Sequence, residues 1–119
     1  MDIYNINNEG YTALHAAANA GNLEMVQFFI NLGIERDMYY SIYNFINIVD
    51  VYRNTALHIA INKNMLGIIK ILIENGANVN LLNNMIKFND ETIAQIADLI
   101  KNKNYDALAR LLVEKASEM

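Results

Sequence analysis

The chain has 119 residues, a formal net charge of −4, no cysteine, and 54% hydrophobic against 18% charged residues. This length and composition predict one folded domain, and the lack of cysteine excludes disulfides, thiolate metal sites and cysteine nucleophiles. The nine Lys and Arg residues are scattered among a larger number of acids, which argues against nucleic-acid binding, and no apolar run approaches the ~18 residues that a membrane span needs.

The first predicted unit is a pair of short helices. Thr12 can supply an N-cap hydroxyl, which predicts a helix over residues 13–20. A turn at Gly21 then starts a second helix over residues 23–32. We expect Gly33 to end that helix in the left-handed conformation, which glycine tolerates best.

An aromatic-rich segment follows at about residues 38–47. It contains Tyr39, Tyr40, Tyr43 and Phe45, and it lengthens the spacing between the first two units. Two interpretations of its tyrosines stay open. They contact a protein partner, or they fold back over the apolar seam between the units.

The second predicted unit repeats the first. Residues 53–80 align without a gap with residues 10–37, and the sequence Thr-Ala-Leu-His begins at both Thr12 and Thr55. These two positions lie 43 residues apart. A recurrence this long, with matching apolar positions downstream, indicates a structural repeat.

The repeat predicts two further helices, over residues 56–62 and residues 66–75. Gly76 stands where Gly33 stands in the first unit, and it is expected to end the second of these helices. Arg53 occupies the place of a turn glycine. Since Arg adopts a positive φ less readily than Gly, we expect the turn before Thr55 to differ from the turn that glycine usually forms at this place in such repeats.

A third, weaker copy begins at Thr92. It predicts helices over residues 92–101 and 104–116, with Tyr105 in the core, and it keeps the Thr and the later Ala97 of the motif but loses the Leu and His. Degeneration of this kind is typical of a terminal capping repeat, whose outer face meets water.

The recurring Thr-Ala-Leu-His-x-Ala resembles the ankyrin repeat, whose signature is Thr-Pro-Leu-His-x-Ala in a unit of about 33 residues. The resemblance covers most of the chain. It implies an all-α solenoid of about three helix-turn-helix units within a single domain, residues 1–119. The expected units are residues 7–37, 50–80 and 83–116, with the insertion at 38–47 between the first two.

The resemblance also assigns a structural role to the only two histidines, His15 and His58. Each is expected to bond the Thr of its own unit and a neighbouring backbone carbonyl. Because the two are equivalent in the repeat, they should sit one unit apart and not converge on a metal or a substrate. The acids are dispersed as well, so we expect no enzyme activity, no catalytic residue, no metal site and no cofactor.

The resemblance implies that this chain binds another protein, and we expect it to do so through its turn tips, the insertion and the concave helix face. Exposed tyrosines at such positions can anchor a partner. The candidate partner-binding residues are Asn8, Glu9, Tyr11, Asn19, Tyr39, Tyr40, Tyr43, Val51, Tyr52, Asn54, Asn62 and Lys63.

An assembly role is the alternative. The segment at Asp2 matches only the tail of a preceding unit, so the N-terminal side of the first unit is expected to lack a cap. It would then self-associate or belong to a longer ankyrin array. The abundance of Asn and Ile suits an AT-rich genome, such as that of a virus or an intracellular bacterium, and hence a host-directed effector. We expect the protein to act in the cytoplasm of its own cell or of a host cell, and to bind neither membranes nor nucleic acid.

Overall fold

The computed structural model describes residues 5–35 and 45–118, and within these ranges all regular structure is helical. This confirms the all-α fold class. Six α-helices and one 3-10 helix, η1, follow in chain order: α1 Ala13–Ala20, α2 Leu23–Glu35, α3 Ala56–Asn62, α4 Leu66–Glu74, η1 Val79–Asn84, α5 Asp90–Lys101 and α6 Tyr105–Ser117. The six α-helices lie where the repeat predicts them, whereas η1 was not predicted.

The starts of α1 and α3 are capped as the sequence indicates. The Thr12 and Thr55 side chains accept the backbone N–H groups of His15 and His58 at 3.3 Å and 3.4 Å. The third unit differs, because α5 begins two residues earlier than predicted. Asn89 is its N-cap and accepts the N–H of residue 92 at 2.8 Å.

Four helices end in the same way, with one residue of positive φ shortly after the last helical residue. Gly21, Asn64 and Lys103 have φ values of 68°, 56° and 54° and follow α1, α3 and α5. Gly76, with φ of 104°, ends α4 as predicted. The prediction for Gly33 is wrong, since α2 continues through it to residue 35. Both residues after Gly33 are compatible with a helix, so nothing forces an end there.

The helices pack as hairpins. The pairs α1–α2 and α3–α4 each form one hairpin, and α1 lies beside α3 while α2 lies beside α4. In the last hairpin α6 packs against both α3 and α4, whereas α5 packs mainly on α6. The third unit therefore covers the second without copying the way the second covers the first.

The core lies between these layers and is almost wholly aliphatic. Its largest fully buried side chains are Phe45, Leu14, Ile30, Ile46, Leu57, Ile61, Ile69, Leu72, Leu82, Ile86, Leu108 and Leu112. Tyr105, predicted to be a core residue, is half-buried and packs against this cluster.

The end of the predicted insertion belongs to the core. Phe45 and Ile46 are each 1% exposed. Asn47 then holds the chain to the end of the second unit: its side-chain amide donates to the Gly76 carbonyl at 3.0 Å, and its side-chain oxygen accepts the Asn78 N–H at 2.7 Å. Residues 45–47 are thus structural.

Candidate protein-binding surface

Two turns of the same construction stand at one edge of the stack. In the first, the Asn7 side-chain oxygen accepts the N–H groups of Glu9 at 2.9 Å and Tyr11 at 3.0 Å. In the second, Oδ1 of Asp50 accepts those of Tyr52 at 2.8 Å and Asn54 at 2.9 Å. Side chains of Asn and Asp form such turns readily, and each turn is thereby held rigid.

The two turns are joined by their backbones. The Val51 N–H donates to the Glu9 carbonyl at 2.9 Å. Gly10, with φ of 78°, makes this approach possible, because a Cβ atom there would stand 3.0 Å from the Asp50 Cα. Any side chain at this position would push the turns apart.

Arg53 is the counterpart of Gly10 in the second turn. Its φ is 66°, so the second turn has the same left-handed residue as the first. The expectation that this turn differs is therefore wrong. Arg is accommodated sterically because its side chain is exposed and no further turn packs over it.

His15 connects the two turns from below. Its Nδ1 accepts the Thr12 N–H at 3.1 Å, and its Nε2–H donates to the Asn54 carbonyl at 3.0 Å. Only the neutral ring with hydrogen on Nε2 satisfies both bonds. This confirms the expected bonding of His15 to its own Thr and to a neighbouring backbone carbonyl.

His58 follows the same pattern with one change. Its Nδ1 accepts the Thr55 N–H at 3.0 Å, but its Nε2–H donates to the side-chain oxygen of Asn84 in η1 at 2.8 Å. The prediction that this histidine bonds a backbone carbonyl is therefore wrong. The third unit has no turn at the equivalent place, so a side-chain amide accepts this hydrogen bond.

The neutral state of His15 predicts a pH dependence of stability. Burial lowers its pKa below the usual 6.5, and the Asn54 carbonyl and the Asp50 charge offset only part of this effect. Because the unfolded chain then takes up the proton first, this stability is fully present above pH 6.5 and is lost as the pH falls from 6.5 towards the lower folded-state pKa. Urea denaturation at pH 7.5 and at pH 5.5 should show the loss, and the His15→Gln variant should show less of it. An unchanged difference in that variant would contradict this origin.

The predicted tip residues differ in exposure. Val51 and Tyr52 are 62% and 69% exposed, and Asn8 and Glu9 are exposed as well. These four residues, which we call the turn edge, are brought together by the bond between Val51 and Glu9. Their arrangement is the one that the repeat predicted.

Tyr11 and Asn54 are less accessible. The Tyr11 ring stacks on His15 with a centroid distance of 5.2 Å, and it is half-buried. Burial and then the charges of Asp50 and Glu9 raise its pKa. Asn54 is also half-buried, and its carbonyl accepts from His15. Both residues therefore contact His15 beneath the turns, Tyr11 through its ring and Asn54 through its carbonyl.

Asn19, Asn62 and Lys63 are exposed at the ends of α1 and α3. Because these two helices lie side by side, the three residues share the face formed by the first helices. The remaining candidates, Tyr39, Tyr40 and Tyr43, lie outside the described residues.

Sequence reasoning missed three residues that shape this surface. Asn7 and Asp50 organise the turns, and their 43-residue separation and side-chain type were a readable signal. Asp50 is 5% exposed, and its Oδ2 has no hydrogen-bond partner among the described residues. Asn84 had no comparable signal, because its role depends on η1.

The described residues contain neither a cluster of metal ligands nor a membrane-spanning helix. Across residues 5–35 and 45–118, no group of three or more His, Cys, Asp or Glu side chains could hold a metal ion. Within the same ranges no helix has the length and apolar character that crossing a membrane requires.

Stacked helical hairpins joined through rigid turns define a helical-repeat protein. The sequence profile described as ankyrin repeats (3 copies) matches residues 1–83. The chain belongs to the ankyrin-repeat family, whose members generally act as non-enzymatic protein–protein interaction modules.

A viral relative supports this assignment. The chain is 33% identical over 72 residues to FPV219 of fowlpox virus (strain NVSL), which is named as an ankyrin repeat protein. The aligned part is 60% of this chain and 14% of the relative. The match therefore spans a small part of a much longer protein.

Proposed function

We propose that this chain binds a protein partner through the turn edge. The observation that carries the proposal is the exposure of Val51 and Tyr52, at 62% and 69%, on a turn that is fixed by internal hydrogen bonds. Exposed large apolar side chains on a rigid support lose little conformational freedom on binding. Tyr is also among the residue types that contribute most to interfaces.

The surface is proposed to continue onto the first helices, through Asn19, Asn62 and Lys63. Tyr11 and Asn54 take part at its inner margin, where they are half-buried. Tyr39, Tyr40 and Tyr43 stay predicted contacts. Residues 1–119 are proposed to act as one domain.

The proposed setting is the cytoplasm, either of the chain's own cell or of a host. The resemblance to a fowlpox virus ankyrin repeat protein supports a host-directed role. The proposed interaction requires no cofactor, nucleic acid or membrane.

The proposal is tested by recovering a partner with the wild-type chain and measuring its affinity for a variant with a polar turn edge. Val51→Ser and Tyr52→Ser together make that variant. Loss of affinity without loss of folding is the expected result, and equal affinity would contradict the proposal.

A second function, repeat assembly, is favoured by the N-terminal side of the first unit. Met25 and Ala16 are the counterparts of Ile68 and Ile59. Met25 is 39% exposed and Ala16 is exposed, whereas Ile68 and Ile59 are only 2% and 7% exposed. The second unit has the first packed against it, and the first has no such unit before it among the described residues. This side would accept another repeat, from a longer array or a second copy.

This assembly function predicts concentration-dependent association. Since each repeat buries its apolar side against neighbours, the mass from light scattering should rise with concentration. Changing Met25 and the 51% exposed Phe28 to Glu should restore a monomer. A strict monomer at all concentrations would contradict self-association, and association that survives both changes would place the contact elsewhere.

A further inference from the structure

A groove lies beside the second turn, on the side where a third turn would stand. Its volume is about 560 Å³, and it is lined by Val49, Arg53, Asn80, Leu81, Asn83 and Asn84. Val49 directly precedes the second turn and Arg53 belongs to it, whereas the other four residues belong to η1. The groove is therefore a space between a turn and a 3-10 helix.

The first and second turns show what fills the equivalent space within the chain. The space beside the first turn is occupied by the second turn, whose Val51 N–H donates to the Glu9 carbonyl of the first turn at 2.9 Å. Tyr52 is the counterpart of Glu9, and the two turns share the same internal bonds and the same left-handed residue. By this equivalence the Tyr52 carbonyl corresponds to the Glu9 carbonyl, which accepts a bond from the next turn, and no described residue donates a hydrogen bond to the Tyr52 carbonyl.

The third unit does not supply the missing turn. The residues that align with the second turn, 87–91, run into the start of α5 at Asp90. No backbone hydrogen bond joins this stretch to the second turn within residues 45–118. Among the described residues, the only hydrogen bond from the third unit's side to the second turn is a weak one, from the Asn84 amide to the Arg53 carbonyl at 3.4 Å.

The residues of the groove can hold a peptide. Val49 and Leu81 are 45% and 37% exposed, so they offer apolar contact. Asn80 and Asn83 are exposed amides that can donate and accept. The guanidinium of Arg53 makes no ion pair or hydrogen bond with any described residue. Arg binds carboxylates in a two-point geometry.

We infer that this groove binds a turn or extended segment of a partner protein that carries an acidic side chain. A main-chain N–H of the segment donates to the Tyr52 carbonyl, as Val51 donates to Glu9, and its carboxylate pairs with Arg53. An apolar side chain packs between Val49 and Leu81. The inference rests on the proposed protein-binding function and specifies the partner of one part of that surface.

The probe is a set of random dodecapeptides displayed on phage and selected on the full chain, with the selected peptides then synthesised. We expect them to carry Asp or Glu beside an apolar residue. Binding should weaken by about tenfold or more in Leu81→Ser and in Arg53→Asp. Asp is chosen because it tolerates the positive φ of this position. Lys103→Asp makes the same charge change at an exposed residue with φ of 54° after α5, outside the proposed binding surface; it is the matched control and should stay within about twofold.

Carbon-13 labelling gives a second readout that does not depend on substitution. On adding a selected peptide, the carbonyl resonance of Tyr52 should shift, whereas that of Glu9, which already accepts a bond, should move little. The melting temperature of each variant is measured alongside, so that a loss of folding is not read as a loss of binding.

The outcomes separate this inference from the broader proposal. No enrichment of peptides, or unchanged affinity in both groove variants, overturns the inference. If Val51→Ser and Tyr52→Ser weaken binding while the groove variants do not, binding by the turn edge is supported and binding by the groove is overturned. If only the groove variants weaken binding, the groove stands and the turn edge fails.

Discussion

We expect His15→Ala to lower the free energy of unfolding by about 3 kcal/mol and His58→Ala to lower it by about 1 to 2 kcal/mol. His15 is 1% exposed and bridges two backbone groups, those of Thr12 and Asn54. Removing either ring leaves the buried N–H of its Thr without a partner, and removing His15 also leaves the half-buried Asn54 carbonyl without its donor. The outer partner of His58 is the side chain of Asn84, which is exposed and can turn to water when the ring is removed.

Urea denaturation of the two variants and of Asn84→Ala measures this ranking. In a double-mutant cycle, His58 and Asn84 should couple by about 0.5 kcal/mol or more, because they share one hydrogen bond. Asn62→Ala, at an exposed position in α3, is the surface control and should have little effect. Stoichiometric zinc binding that is lost in both histidine variants would contradict a purely structural role.

The second large effect is on binding. Val51→Ser and Tyr52→Ser together should weaken the binding free energy of the partner by about 2 to 4 kcal/mol, because they remove the two most exposed large side chains of the turn edge. The melting temperature should change little, since both side chains are outside the core. Titration calorimetry with a partner recovered by the wild-type chain measures the affinity.

The control for this variant is a pair of exposed polar residues on α2. Gln27→Ser and Asn31→Ser change two residues that are also exposed but lie away from the turns, and they should leave the affinity unchanged. If the turn-edge variant binds as tightly as the wild-type chain per folded molecule, the binding surface lies elsewhere. If it unfolds at a much lower temperature, the two residues support the fold.

The helices were predictable because local chemistry and the repeat agree. The ranges of α1 and α3 follow directly from Thr12 and Thr55 as caps, and both are observed as predicted. The end of α4 was readable from Gly76. The turn edge was predictable in outline, since equivalent residues of stacked units must align.

Two of the failures, at Arg53 and Asn84, depend on spatial neighbours and not on local sequence, whereas the failure at Gly33 is local. Gly33 is helical because the residues after it do not stop the helix. Arg53 adopts the left-handed conformation because its side chain meets no third turn. Asn84 binds His58 because η1 brings it there. A single repeat motif contains no information on which neighbour is missing.

Amide hydrogen exchange of the free and the partner-bound chain tests most directly whether a partner covers the turn edge. The Asn8 N–H makes no hydrogen bond with the described residues, so it should exchange rapidly in the free chain and slowly in the complex. The amides of Val51 and Tyr52 should gain protection with it, while the outer side of α2 around Met25 stays unchanged. Protection confined to α2 or α5, with Asn8 still exchanging rapidly, would contradict binding through the turns.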